Sequence, residues 1–134
     1  MILKPETVAE MIAHAERDAP VEACGYLAGT GNRVTKHFPM INTDNSEEHF
    51  AFDPAEQFAV LKSVRQDGFE INGVYHSHPK SPARTSEEDV KLAFDSSLLY
   101  VIISLKDRPG TVKGFRIRQG TVEEEPLIIE EENT

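Results

Sequence analysis

Residues 76–89 have the sequence HSHPKSPARTSEED, which joins the end of a strand to the start of a helix. The preceding residues, 71–75, are INGVY and predict a strand that runs into this stretch. Side chains alternate between the faces of a strand and the rise is roughly 3.3 Å per residue, so His76 and His78 project from one face about 7 Å apart. Pro79 cannot donate a ladder hydrogen bond, and we expect the strand to end at His78.

A helix start at Ser86 brings a carboxylate, Asp89, back toward the two histidines on its first turn. Two histidines and one carboxylate are a ligand set for zinc that leaves the fourth position open to water, as in catalytic sites. Each part also has a plainer interpretation: the histidines as a polar strand face, and Ser86 with the acids after it as an ordinary helix cap. A capped helix is also a rigid mount for a ligand, and the combination of all these features favours the metal site.

This combination resembles the motif of the JAMM (MPN-plus) metallopeptidases, H-x-H-P followed by six residues and S-x-x-D. That family also uses a glutamate on an upstream strand, followed by an apolar stretch that contains glycine. Glu22 matches this position within PVEACGYLAG, residues 20–29. The resemblance implies an α/β fold, a single JAMM/MPN-type domain whose mixed β-sheet is flanked by helices in a cytidine-deaminase-like arrangement. It also implies one Zn²⁺ per chain, bound by His76, His78 and Asp89.

The chemistry of such a site assigns roles to two further residues. Zinc with these ligands lowers the pKa of a water molecule to near 7 and supplies hydroxide at neutral pH. Peptide hydrolysis also needs a base that takes the proton of the water and hands it to the leaving amine, and Glu22 is the candidate for this role. The tetrahedral oxyanion needs a further donor, and the resemblance implies Ser86. Ser86 would then share its hydroxyl between capping and catalysis.

The resemblance also indicates a substrate class. Eukaryotic relatives selective for polyubiquitin carry insertions around the site, and the short polar segments at 41–48 and 95–97 leave little room for them. The chain resembles the minimal bacterial members, which cleave after the C-terminal Gly-Gly of small ubiquitin-like sulfur-carrier proteins and release cysteine. Whether the leaving group is cysteine, a lysine side chain or a longer peptide stays open at this stage.

Three other classes of protein compete with this interpretation. A zinc nucleoside deaminase needs H-x-E and P-C-x-x-C motifs, and a chain whose one cysteine is Cys24 cannot supply them. A cysteine hydrolase built on Cys24 is conceivable, but a cysteine in an apolar run is far more often core packing. A non-catalytic binding module of the same fold is the third alternative. It is disfavoured because this sequence retains every ligand position.

Composition limits the partners and the compartment. A chain of 134 residues suits one domain, 1–134, with a core of its own. Its net charge of −9 argues against nucleic acid as a partner. A single cysteine excludes an intrachain disulfide and suits a reducing compartment. We find neither the apolar core of a signal peptide nor a run long enough to cross a membrane, so we expect a cytoplasmic protein without membrane contact.

Caps and apolar spacing predict the order of the secondary structure. The predicted helices are 5–18, 54–67 and 87–95, and the predicted strands are 22–28, 33–40, 49–52, 71–78, 98–105, 112–118 and 122–129. The strand at 98–105 should be central in the sheet, because it is continuously apolar. We expect the second helix to bury Phe58, Leu61 and Val64, and the third to be heavily buried through Val90, Leu92, Ala93 and Phe94. We also expect His14 to be exposed, His37 to lie at the surface or an edge, and residues 130–134 to be frayed.

Overall fold

The computed structural model describes residues 1–93, 95–106 and 110–130, and within them the chain forms three helices and one mixed β-sheet. The helices are α1 (Pro5–Asp18), α2 (Pro54–Gln66) and α3 (Glu87–Leu92). The strands are β1 (Ile2–Leu3), β2 (Cys24–Thr30), β3 (Arg33–Met40), β4 (Glu70–His78), β5 (Leu99–Ser104), β6 (Thr111–Arg118), β7 (Thr121–Glu125) and β8 (Ile128–Ile129). The predicted α/β class is confirmed. None of the described helices is long and apolar enough to cross a membrane.

The strand order is β7-β6-β5-β4-β2-β3-β1-β8, which places β4 and β5 in the interior of the sheet. These two strands are parallel, so the chain between them must cross over, and α3 lies on that crossover. Val101, Ile102 and Ile103 of β5 are fully buried, as expected for a strand covered on both faces. The predicted central position of this strand is therefore confirmed.

Alternation along β4 separates the two faces of the sheet. Tyr75 packs with Met11 and Ala15 of α1, whereas Val74 packs in a second core with Val60 of α2. Gly25 lies opposite Tyr75 in the ladder, and a Cβ atom at Gly25 would approach Cε1 of the tyrosine ring to 2.4 Å. The Tyr75 ring therefore needs glycine at that position, and the two histidines of β4 share the face of Val74.

The predicted strand 122–129 is wrong, because Pro126 divides it into β7 and β8. Proline has no N–H for a ladder hydrogen bond, and the chain leaves the sheet there. β7 pairs with β6 at one edge, whereas β8 pairs with β1 at the other edge. Only two residues separate β7 from β8, so the sheet must curl until its edges are close together. The ammonium of Met1 contacts Glu125 at 3.0 Å across this junction.

Three further differences from the predicted elements bear on the candidate site, while the other ends shift by one or two residues. The strand at 49–52 does not form: Phe52 makes only an isolated bridge with Asn42, and the rest of the segment is loop. β2 begins at Cys24, so Glu22 lies just before the strand and not in it. α3 ends at Leu92, because Ala93 already has an extended backbone.

The burial predicted for α2 is wrong for two of its three residues. Val64 is buried, but Phe58 is 69% exposed and Leu61 is 43% exposed. The space beneath the helix is occupied by Phe50 and Phe52 from the preceding loop, which pack in the second core with Val60 of α2. The predicted start of this helix is correct, because Asp53 caps α2 by accepting a hydrogen bond from the N–H of Glu56 at 2.9 Å.

His14 is buried, contrary to the prediction that it is exposed. Its Nδ1 lies 2.8 Å from the hydroxyl of Tyr75, and its Nε2 lies 3.0 Å from the carboxylate of Asp18. Burial lowers the pKa of His14, although the charge of Asp18 opposes this effect. His37 is partly exposed and pairs with Glu10 on the outside of α1, in agreement with its predicted surface position.

Two predictions concern residues near the ends of elements. Val90 and Ala93 are only half-buried, so the heavy burial predicted for α3 is wrong for them, while the side chain of Leu92 and all of Phe94 lie outside the described residues. Of the tail predicted to be frayed, 131–134 also lies outside the described residues. Glu130 is held, because its N–H donates to the carbonyl of Leu3 at 2.8 Å.

Candidate metal centre

The three predicted metal ligands converge at the carboxyl end of β4. His78 is the last residue of that strand and His76 lies two residues before it, while Asp89 lies on the first turn of α3. The Nε2 atoms of the histidines are 3.2 Å apart, and each also lies 3.1–3.2 Å from a carboxylate oxygen of Asp89. All three ligand atoms lie within 4.8 Å of one another.

These distances fit a tetrahedral metal ion. Zinc binds nitrogen and oxygen ligands at roughly 2.0–2.1 Å, which places neighbouring donor atoms of a tetrahedron about 3.3 Å apart. The 3.2 Å between the two Nε2 atoms is close to that value, and Asp89 brings Oδ1 to 3.1 Å from His76 and Oδ2 to 3.2 Å from His78. Two imidazoles and one carboxylate also have the donor chemistry that zinc prefers. The residues present therefore fit the predicted zinc ion.

The surroundings orient the two imidazole rings. Nδ1 of His78 lies 3.0 Å from the carbonyl of Pro82. Since a carbonyl only accepts, this contact places the proton on Nδ1 and leaves the lone pair of Nε2 free for a metal. The ring of His76 stacks on Phe50, with centroids 4.9 Å apart. Its Nδ1 is buried and has no hydrogen-bond partner among the described residues.

Ser86 and Asp89 form a capping box at the start of α3. The hydroxyl oxygen of Ser86 accepts from the N–H of Asp89 at 3.0 Å, and the N–H of Ser86 donates to Oδ2 of Asp89 at 2.9 Å. Capping uses a lone pair of the hydroxyl and leaves its proton free to donate, so capping and donation to an oxyanion are compatible. Burial raises the pKa of Asp89, but in the metal-free protein, where Nε2 of each histidine can carry a proton, hydrogen bonds from His76 and His78 outweigh burial and hold the pKa far below its usual range.

Glu22 lies on the segment that runs beside the end of β4, where the N–H of Ser77 donates to the carbonyl of Ala23 at 2.9 Å. The side chain of Glu22 is almost fully enclosed, and Oε1 has no hydrogen-bond partner among the described residues. Burial raises the pKa of Glu22 to about 8; the charge of His78 lowers it, and that of Asp89 raises it further. A carboxylate that is enclosed, unpaired and close to neutral in pKa can take and release a proton under mild conditions.

We expect the pKa of Glu22 to be visible in the stability of the metal-free protein. The ordinary pKa is 4.5 and the folded pKa is about 8, so between these values the unfolded chain releases a proton that the folded chain keeps. The contribution of Glu22 to stability therefore falls as the pH rises from 5 to 8. In chelator, Glu22→Gln should match the wild-type Tm near pH 5 and exceed it near pH 8. An equal Tm difference at both pH values, or the same trend in the exposed control Glu87→Gln, would refute this assignment.

Cys24 does not have the environment of a nucleophile. The residue is fully buried in the core with Tyr26 and Met40, and burial raises the pKa of its thiol to about 12. The thiol therefore stays protonated at neutral pH, whereas a nucleophilic cysteine needs a lowered pKa. Core packing, the plainer interpretation of this cysteine, is favoured.

An apolar cavity of about 320 Å³ opens beside the candidate ligands. His76 and Asp89 contribute to its wall, and the rest of the lining is largely aromatic and aliphatic. The main apolar contributors are Tyr26, Phe50, Phe52, Val74, Leu98 and Tyr100. A chain segment without charges can therefore lie next to the ligand atoms.

Sequence reasoning missed the residues that hold the site together. The hydroxyl of Ser77 accepts a hydrogen bond from the N–H of Ala23 at 2.7 Å and ties β4 to the segment of Glu22. Phe50 and Asn42 were placed in a strand and a loop without a role. Ser77 and Phe50 could not be identified from a local pattern, because their partners Ala23 and His76 lie far away in the sequence, and Asn42 bonds mainly backbone groups, which carry no residue-specific signal.

Comparisons with known proteins agree with the fold. The family model described as prokaryotic homologs of the JAB domain matches residues 4–118. The CysO-cysteine peptidase of Mycobacterium tuberculosis is 38% identical to this chain, covering 98% of it and 92% of the relative. The desampylase of Pyrococcus furiosus is 27% identical and covers 96% of this chain and 91% of its own. The solution structure of protein DSY2949 from Desulfitobacterium hafniense has a TM-score of 0.88 at 45% identity, covering 98% of this chain and 94% of that one.

The match covers most of the chain and spans all five predicted site residues, from Glu22 to Asp89. The protein belongs to the family of prokaryotic JAB-domain homologs, and the predicted JAMM-type membership is confirmed.

Proposed function

We propose that this protein is a zinc-dependent peptidase that cleaves after the C-terminal Gly-Gly of a ubiquitin-like sulfur-carrier protein and releases cysteine. The observation that carries the proposal is the convergence of His76, His78 and Asp89 within 4.8 Å, beside the buried Glu22. The relatives support the substrate class, since one is named a CysO-cysteine peptidase and another a desampylase. The reducing cytoplasm is the proposed compartment, in keeping with the free Cys24.

The ligand residues and Glu22 divide the work of hydrolysis. His76, His78 and Asp89 would hold a zinc ion, which supplies a Lewis acid and a water of lowered pKa when bound. Glu22 takes a proton from the attacking water and passes it to the leaving nitrogen, so that a neutral amine departs. Burial raises the pKa of Glu22 to about 8 in the metal-free protein, and this burial favours the uptake of a proton in the first step.

Ser86 is the proposed donor to the oxyanion. Ser86 is exposed, and its hydroxyl proton is free, because the oxygen acts as acceptor in the cap. A preorganised donor lowers the barrier where negative charge develops on the former carbonyl oxygen. The rigid first turn of α3 fixes this donor relative to Asp89.

A Gly-Gly tail suits the depth of the site. His76 and His78 are 2% and 5% exposed, so a scissile peptide must enter deeply to reach them. Two residues without side chains let the backbone approach more closely than any other pair. We therefore propose a small carrier with a flexible Gly-Gly end as the partner, and neither nucleic acid nor a membrane.

The proposal is tested with a carrier protein whose Gly-Gly end is joined to cysteine. Zinc-loaded protein should release free carrier and cysteine, detected by mass spectrometry, and a tail ending in Ala-Ala should be cleaved far more slowly. A second conjugate, joined to the side chain of a lysine, shows whether isopeptide bonds are also cleaved. Binding of the conjugate without any turnover would instead favour the non-catalytic binding module.

Chelation and substitution of the cysteine separate the metal site from a thiol mechanism. We expect Cys24→Ala to keep activity within a few-fold, because the thiol only packs in the core, while a chelator should abolish turnover and added zinc restore it. Both are measured by the same release assay. The opposite pattern, with the chelator harmless and Cys24 essential, would move the chemistry to the thiol.

A further inference from the structure

The side chain of Asn42 is the centre of a hydrogen-bond network beside the candidate metal site. The residue follows β3 and is 7% exposed. Its Nδ2 donates to the carbonyl of Glu22 at 3.1 Å, to that of His49 at 3.0 Å, and more weakly to that of Ser46 at 3.5 Å. Ser46 in turn accepts from the N–H of Glu22 at 2.8 Å. Both backbone polar groups of Glu22 are therefore held by Asn42 or by a residue that Asn42 contacts.

The oxygen of the same amide organises the loop that follows. Oδ1 of Asn42 accepts from the N–H groups of Asp44 at 3.1 Å and Ala51 at 3.2 Å. His49 and Ala51, which Asn42 contacts, are the neighbours of Phe50, whose ring stacks on His76. With two donated protons and two accepting lone pairs in use, the hydrogen-bonding capacity of the amide is essentially filled.

The carboxylate of Glu22 has no comparable support of its own. Oε1 is buried without a partner among the described residues, so its placement depends on the backbone that carries it. The backbone at Glu22 is held from two sides: Asn42 and Ser46 bond the peptide groups of Glu22, and Ser77 bonds the next N–H, that of Ala23. Asn42 is the side chain that joins this support to the loop carrying Phe50.

We propose that Asn42 is the positioning residue that holds Glu22 in its working place beside the candidate metal ligands. The inference rests on the proposed function, in which Glu22 is the general base. Asn42 touches neither the reacting atoms nor the ligands and acts through the backbone of Glu22. Misplacing a reacting group by about 1 Å can lower a rate by roughly a hundredfold, so loss of the Nδ2 hydrogen bonds should appear in kcat.

The test compares two buried asparagines. Asn42→Ala should lower kcat by about ten- to hundredfold with little change in KM or in zinc content. The matched control is Asn72→Ala, since Asn72 is 5% exposed and its Nδ2 donates to the carbonyls of Arg33 at 3.0 Å and Gly31 at 3.4 Å, near the start of β4. Both variants should lose stability, but Asn72→Ala should keep kcat within a few-fold. Equal kcat in the two variants would overturn the proposal.

A double-mutant cycle with Glu22→Gln shows whether the effect passes through Glu22. If it does, Asn42→Ala should cost less than about threefold in the Glu22→Gln background, measured in single turnovers, because the group it positions is already gone. A full loss in that background would mean that Asn42 acts by another route, and would overturn the proposal. Should Asn42→Ala not fold, Asn42→Asp keeps an acceptor for Asp44 and Ala51 and enters the same cycle.

The proposed function and the role of Asn42 can be rejected separately. Nearly full activity in the Glu22→Gln protein would show that Glu22 is not the general base, and the positioning role of Asn42 would be rejected as well. Strong loss in Glu22→Gln together with normal kcat in both Asn42 variants would leave the proposed function intact and reject only the positioning role.

Discussion

Glu22→Gln is expected to lower kcat by at least about a hundredfold while folding and zinc content stay normal. General acid–base catalysis contributes typically 10²–10⁴-fold, and the amide of glutamine cannot accept a proton. The substitution is nearly isosteric, and the backbone contacts of Glu22 with Asn42 and Ser46 do not involve the side chain that changes. Rates are measured with the cysteine conjugate of the carrier under saturating conditions.

The control for this prediction is Glu87→Gln, which removes an exposed carboxylate from the first turn of α3. It should keep kcat within a few-fold. The inactive Glu22→Gln protein should still bind the conjugate and trap the complex. Cleavage by Glu22→Gln within a few-fold of the wild-type rate would leave the base unassigned.

The second large effect is expected from removing both histidines. Wild-type protein purified without chelator should contain about one zinc ion per chain, and the double variant His76→Ala, His78→Ala should contain almost none and have no measurable activity. Loss of two of three ligands leaves Asp89 alone, which cannot retain the ion. Metal content is measured by elemental analysis alongside the release assay.

His37→Ala is the matched control, because His37 lies away from the ligands and pairs with Glu10. Its zinc content should equal that of the wild type. Unchanged zinc in the double variant would show that the ion is bound elsewhere.

The candidate site could be predicted because its signals are local. The spacing of His76 and His78, the stop at Pro79 and the cap at Ser86 each depend on neighbours in the sequence, and the structure brings these residues to one place. Periodicity also placed α1, α2 and the central strand β5 correctly. These features follow from the preferences of short segments.

The remaining features depend on partners that are distant in the sequence. Periodicity cannot show that the loop aromatics Phe50 and Phe52 fill the core where Phe58 was expected. It also cannot show that Tyr75 supplies a buried partner for His14, 61 positions away. The network of Asn42 is hidden for a different reason: its partners are backbone carbonyls and N–H groups, which carry no residue-specific pattern even where they are near in the sequence.

The alternation along β4 has a consequence for how this protein can change. Tyr75 and Ser77 face the core under α1 while His76 and His78 face the site, and the Tyr75 ring requires glycine at position 25 opposite it. A single residue inserted into or deleted from this strand would turn core-facing side chains toward the site and the histidines toward the core. Packing and metal binding would then be damaged together. Variants with an insertion or deletion in β4 that still fold should therefore be those in which both histidines still face the site. A library of such variants selected only for folded protein would also be enriched in variants with an intact metal site.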